Sequence, residues 1–115
     1  MSGSHAMTLS KLVQAAPLFA ALGDETRLEI VARLCSDGPQ SIVRLTEGAD
    51  VSRQAITKHL HALSHAGLVR STREGRERIW ELRGKRLTEA RRFLDEISSQ
   101  WDEALERLRA AVEIE

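Results

Sequence analysis

A chain of 115 residues, 42% hydrophobic and 30% charged, has apolar material for one buried core and not for two, so it is read as a single domain. No apolar run approaches the roughly 20 residues that a membrane helix needs, and the single cysteine, Cys35, excludes a disulfide framework and any zinc site built on two thiols of one chain. A soluble chain in a reducing cytoplasm is the expectation, and the balance of 17 Lys and Arg against 17 Asp and Glu gives no net charge from which to read a partner.

The opening Met1-Ser2-Gly3-Ser4-His5-Ala6 reads as an expression-tag remnant, residues 1–6, ahead of a start at Met7, which leaves 7–115 for the domain. From Leu9 to Leu22 the apolar residues Leu9, Leu12, Val13, Ala16, Phe19 and Leu22 recur at helical spacing, with Gly23 as the stop. Pro17 is expected to kink or split this first helix. Asp24 caps a second helix, Glu25 to Cys35, with Leu28, Ile30, Val31 and Leu34 as its inner face and Cys35 as a small buried residue. Ser41 caps a short third helix, Ile42 to Glu47, and a tight connection, Gly48 to Val51, leads to Ser52, the cap of a fourth helix that runs to about Ala66 before Gly67. Val69, Thr72, Ile79 and Trp80 flank Glu74-Gly75 and predict a β-hairpin between Leu68 and Leu82. Over about 85–111 Leu87, Ala90, Leu94, Ile97, Trp101, Ala104, Leu108 and Ala111 follow at steps of three and four, a coiled-coil-like stripe on a last helix.

The charges are segregated along this order. Residues 52–92 carry eleven Arg and Lys against four Glu, whereas residues 93–115 carry two Arg against seven Asp and Glu. A basic block is often no more than a solvated face. Here it coincides with the fourth helix and the hairpin. At about 100° per residue, Ile56, Leu60 and Leu63 fall on one side of that helix, while Gln54, Thr57, Lys58, His61 and His65 gather on the other, with Arg53 at its exposed start. The expected fold is mainly α with a small β-hairpin: four helices, two strands and a last helix, arranged as a winged helix-turn-helix. Such a helix fits a DNA major groove, where Arg and Lys suit guanine, Gln suits adenine, and Thr suits a polar edge or a thymine methyl. The DNA-binding candidates are therefore Arg53, Gln54, Thr57, Lys58 and His61, with Ser41 and Ser52 offering hydroxyls and helix amides to phosphates. Arg73, Arg76 and Arg78 of the hairpin would follow the backbone or enter a minor groove.

The stretches Leu18-Phe19-Ala20-Ala21-Leu22-Gly23-Asp24-Glu25-Thr26-Arg27-Leu28-Glu29-Ile30, Val51-Ser52-Arg53-Gln54-Ala55-Ile56-Thr57-Lys58-His59-Leu60 and Ala66-Gly67-Leu68-Val69 resemble the ArsR family of bacterial winged-helix repressors. The resemblance spans Leu18 to Leu82. It implies a homodimer, built through the first and last helices, that binds an operator near a promoter and is released by a ligand. The family's metal-sensing cysteines correspond to Ser41 and Val43, the last helix has no His, and persulfide sensing needs a second cysteine. No metal or other cofactor is therefore expected. Asp50 stands in the turn where many members carry Gly, a change the left-handed region tolerates.

The stripe of the last helix calls for a partner, and the candidate interface residues are Leu9, Leu12, Phe19, Leu94, Ile97, Trp101, Leu105 and Leu108. Two-fold symmetry would set two recognition helices roughly 34 Å apart on an inverted repeat. The acidic end would then lie away from DNA. His61 and His65 lack a third metal ligand nearby, and His59 reads as packed or phosphate-contacting. An unknown small-molecule inducer between the first and last helices is left open, with Phe19 and Trp101 weighed as lining or, more simply, as core. A winged-helix module that binds protein and not DNA is the alternative. Nothing in the sequence supplies a nucleophile with a base, paired carboxylates in an apolar setting or a phosphate loop, so catalysis is not expected.

Overall fold

The computed structural model describes residues 8–113; the tag remnant and the start at Met7 lie outside the described residues. In chain order the elements are α1 (Leu9–Leu22), α2 (Glu25–Asp37), β1 (Gln40–Ser41), α3 (Ile42–Thr46), α4 (Arg53–His65), β2 (Val69–Glu74), β3 (Glu77–Leu82) and α5 (Gly84–Glu113). The first four helices begin the same way: the amides of Lys11, Arg27, Arg44 and Ala55 donate to the side-chain oxygens of Thr8, Asp24, Ser41 and Ser52. Each bond satisfies one of the donors that a helix start leaves open.

The helix ends are closed differently. At the end of α4 Gly67 takes φ +80°, the Gly67 amide donates to the Ser64 carbonyl and the Leu68 amide to the Leu63 carbonyl, both at 2.9 Å. This is the Schellman arrangement, and the leucines at its two ends, Leu63 and Leu68, are both fully buried. At three other points an arginine from elsewhere in the chain meets the orphan carbonyls. Arg27 donates to the carbonyl of Ala21 at 3.2 Å at the end of α1. The Arg33 guanidinium donates to the carbonyls of Arg44 at 2.8 Å, Leu45 at 3.0 Å and Glu47 at 3.3 Å at the end of α3. Arg86 donates through Nε to the Ala66 carbonyl at 3.1 Å, just past α4.

Around these joints the core gathers Leu18 and Ala21 of α1, Ile30 and Leu34 of α2, Leu45 of α3, Ile56, Leu60 and Leu63 of α4, Leu68, Val69, Trp80 and Ala90. The predicted hairpin forms with Glu74 opposite Glu77 and a two-residue turn, Gly75-Arg76. It is not alone, because β1 adds to β3 with Gln40 opposite Trp80, giving a three-stranded antiparallel sheet in the order β1-β3-β2.

One expectation is narrowed and three are corrected. Pro17 lies inside α1 without splitting it: the carbonyl that loses its donor belongs to Val13, an exposed residue that water can serve. Leu28 is 51% exposed and Cys35 is exposed as well. Seven residues apart, they share the outward face of α2, about 200° around from Ile30. Asp50 is not left-handed; the positive φ in the turn before α4 belongs to Gly48, at +74°.

A helix of five residues does not hold itself, so α3 depends on Arg33. Replacing Arg33 by Ala should cost about 1.5–3 kcal/mol, read as a lower urea midpoint with an unchanged m value. Lys at this position should restore little, because an ammonium cannot span three carbonyls. The Asp24 carboxyl is held below its ordinary range chiefly by the hydrogen bond from the Arg27 amide; desolvation opposes this, and the nearby His59 and Arg27 add to the lowering. A depressed carboxylate stabilises the fold fully above its unfolded pKa and loses that contribution as pH falls through the folded one. Asp24→Asn should therefore be less stable than the parent at neutral pH, with the gap closing as pH falls through the folded-state pKa in urea titrations.

Candidate nucleic-acid interface

Helix α4 is sealed on one side and bare on the other. Ile56, Leu60 and Leu63 are buried, while Arg53, Gln54, Lys58, His61 and His65 are exposed and Thr57 is half-buried. The Thr57 hydroxyl donates back to the Arg53 carbonyl at 2.9 Å, which leaves its methyl as the free end of the side chain. Ser52 is exposed at the helix start, with its hydroxyl accepting the Ala55 amide at 3.1 Å. Ser41 caps α3 as expected, its hydroxyl accepting the Arg44 amide at 3.3 Å, but it is buried in the β1–β3 pairing. It has little surface to offer a phosphate. His59 is on the inner flank, where its Nδ1 accepts from Arg27 Nε at 3.2 Å.

The wing stands beside this helix. Ser71 pairs with Trp80 and Arg73 with Arg78 across β2 and β3, so these four side chains share one face of the hairpin. That face turns toward α4, since the rings of His61 and Trp80 lie 5.9 Å apart. Arg78 donates to the Ser71 hydroxyl at 2.9 Å, and a groove of about 650 Å³ between helix and wing is lined by His61, His65, Ser71, Arg78 and Trp80. Arg73 and Arg78 are thus like charges set directly opposite one another, an arrangement that weakens a hairpin on its own. Glu74 and Glu77 occupy the other face, and Arg76 sits in the turn. The sequence count treated all eleven cations of the block alike. In the structure Arg86 is spent on α4 and Glu89, and Arg70 pairs with Glu81 at 2.8 Å, whereas Arg53, Lys58, Arg73 and Arg76 have no ion-pair partner among the described residues.

The stripe of the first and last helices is largely uncovered. Leu9, Leu12, Leu94, Ile97, Trp101, Leu105 and Leu108 are exposed, and Phe19 is half-buried with its ring 5.7 Å from that of Phe93. Trp101, 62% exposed, is neither core nor cavity lining. The cavity between α1 and α5 is floored by Ala15, Leu18 and Phe93 instead.

This geometry has close counterparts. Residues 22–72 match the family described as a helix-turn-helix domain. The solved structure of an ArsR-like transcriptional regulator from Rhodococcus sp. RHA1 superposes with a TM-score of 0.76 at 40% identity, covering 89% of this chain and 95% of that one. An HTH-type transcriptional regulator of Bacillus subtilis, YuzN, is 40% identical over 68 residues, 54% of this chain and 74% of its own length. The chain belongs to the ArsR family of helix-turn-helix transcriptional regulators. A further relative, the arsenical resistance operon repressor of Bacillus subtilis, is 34% identical over 64 residues, 56% of this chain and 61% of its own length. The regulator is accordingly a DNA-binding protein and not an enzyme, with a winged helix-turn-helix fold. No helix among its described residues is long and apolar enough to cross a membrane.

The opposed arginines of the wing give a stability test of their own. Arg73→Glu replaces a like-charge pair by an opposite one and should stabilise the protein by about 0.2–1 kcal/mol, measured as a raised thermal midpoint in low salt.

Proposed function

We propose that the regulator is a homodimeric repressor that reads an inverted-repeat operator through α4 and grips the flanking backbone through its wing. The observation that carries this reading is the bare polar face of α4 lying alongside the arginine face of β2 and β3. Arg53 and Lys58 suit guanine, Gln54 suits adenine, Thr57 offers a methyl to thymine, and His61 extends the reading face. Ser52 and the first amides of α4 meet a phosphate, and Arg73, Arg76 and Arg78 neutralise backbone charge or enter a minor groove. The repressor relative in Bacillus subtilis supports repression as the outcome.

In this reading residues 7–115 are one domain whose last helix is also its dimerisation element. The radius of gyration, 19.0 Å, is well above the roughly 13 Å of a compact chain of this length, because α5 runs out past the core with its apolar side uncovered. A second copy covers Leu94, Ile97, Trp101, Leu105 and Leu108, with Leu9, Leu12 and Phe19 at the margin. An inducer completes the set of partners.

The test is binding to DNA from upstream of the regulator's own gene, with scrambled DNA beside it, over a salt series and over protein concentration. The expected result is sequence-dependent binding with two chains per site and log K falling steeply with log salt. Gln54→Ala or Arg53→Ala should each cost about 1–3 kcal/mol and relax the preference at one base position. Arg73→Ala should weaken both DNAs alike and reduce the salt slope by about one unit. Equal, weak binding to both DNAs, unchanged in Gln54→Ala, would overturn the reading in favour of a protein-binding winged helix.

A further inference from the structure

The cavity between α1 and α5 has a volume of about 510 Å³, within the range of sites that hold small organic molecules. Its floor is apolar, from Ala15, Leu18 and the Phe93 ring, and its rim carries Lys11, Arg86 and Arg92 against Glu89 and Glu96. Lys11 is matched by Glu96 at 2.9 Å and Arg86 by Glu89. Arg92 has no carboxylate partner among the described residues. An apolar hollow with one unmatched guanidinium at its edge is the complement of an apolar molecule that carries one carboxylate.

The position of the cavity keeps it open. At about 100° per residue, Lys11 and Leu18 lie roughly half a turn around α1 from Leu9, and Glu89, Arg92 and Glu96 lie roughly half a turn around α5 from Leu94. A partner seated on Leu9 and the α5 stripe therefore lies away from Arg92, with Phe19, about a quarter turn from Leu18, at the boundary between stripe and cavity. One residue of its wall also reaches the recognition helix. Arg86 holds Glu89 through Nη1 and donates through Nε to the Ala66 carbonyl at 3.1 Å. Its stem lies against Gly67, where a Cβ would stand 3.3 Å from it.

We infer that this cavity binds an apolar small-molecule carboxylate and that Arg86 transmits its occupancy to the end of α4. A carboxylate drawn to Arg92 and Arg86 competes with Glu89 and with the Ala66 carbonyl for the same N–H groups. Losing Arg86 leaves that carbonyl without a donor and loosens the last turn of α4. Binding and the response of α4 need no DNA; only their regulatory meaning rests on α4 being the DNA-reading helix.

The probe is phenylbutyrate, with neutral phenylbutanol as its control, titrated into isotopically labelled protein and followed by amide chemical shifts. Saturable shifts at Ala15, Leu18 and Phe93, accompanied by shifts at Ala66, Gly67 and Leu68, are expected for the acid. Arg92→Gln should weaken the acid about tenfold and the alcohol little, and Ala15→Trp, which fills the cavity, should abolish binding of both. Shifts confined to the stripe around Trp101, or equal affinity for acid and alcohol in the parent and in Arg92→Gln, would overturn the site. Saturable binding that leaves Ala66, Gly67 and Leu68 unmoved would overturn the coupling through Arg86. A protein that passes this titration yet ignores operator DNA would count against the DNA reading alone.

Discussion

Helix α4 has to be sealed along one ridge so that the opposite ridge can be left with nothing to pack against. Burying Ile56, Leu60 and Leu63 gains about 1.5–3 kcal/mol each, more than the polar face loses by standing in water unpaired. The same ridge decides where the wing goes. Because Leu63 and Leu68 close the Schellman stop together, β2 leaves the helix end at once and in a single direction. Trp80, buried under His61, then holds the returning strand against the helix. Helix and wing are thus packed on one core, and buried residues as well as polar ones position the exposed side chains of α4 relative to the arginines of the hairpin.

Arginine does two unrelated jobs in this chain, and the split explains its abundance. Arg27, Arg33 and Arg86 point inward and close the ends of α1, α3 and α4 with donors supplied from α2 and α5. A positive group at a helix C-terminus also meets the negative end of the helix dipole. Lysine would give a charge there without the fork that reaches two or three carbonyls. Arg53, Arg73 and Arg76 are exposed with no ion-pair partner among the described residues, and Arg78, exposed beside them, spends one donor on the Ser71 hydroxyl. The opposed Arg73 and Arg78 weaken the hairpin that carries them, a local cost that makes sense where a polyanion comes between them.

Much of this architecture is legible from residues close together in sequence. Every N-cap is a local pattern, an oxygen-bearing side chain three residues before an open amide, and Asp24, Ser41 and Ser52 are readable on that basis. The hairpin follows from two β-rich runs around Glu74-Gly75, and the sides of α4 follow from helical phase. What escaped depends on distant partners. Strand β1 is two residues long and exists only because Gln40 meets Trp80, forty positions away. That pairing is also what buries Ser41, so the cap read from the sequence stands while little of its surface is left for a phosphate. A guanidinium at position 86 looks in the sequence like one more cation of a basic block, and only the three-dimensional neighbourhood of Gly67 shows it turned inward. Leu28 and Cys35 were misread for a simpler reason: their seven-residue spacing places them on one face, but that face has no other element to cover it.

Helix α5 joins these threads because its faces and its length serve different ends. Its first turns carry Arg86 to the end of α4, its inner side builds the cavity with α1, and its outer stripe runs past the core with no cover from the chain itself. A rigid helix cannot shift at one of these places without shifting at the others. On the proposed dimer, a second copy on the stripe would fix α5 and, through the Arg86 bond to the Ala66 carbonyl, the end of α4. The same connection runs in reverse: whatever draws Arg86 toward the cavity acts at once on α4 and on the helix that any partner must grip. Stripe and cavity are sides of the same two helices, α1 and α5, and Arg86 is the one side chain among the described residues that carries a bond from them to the end of α4.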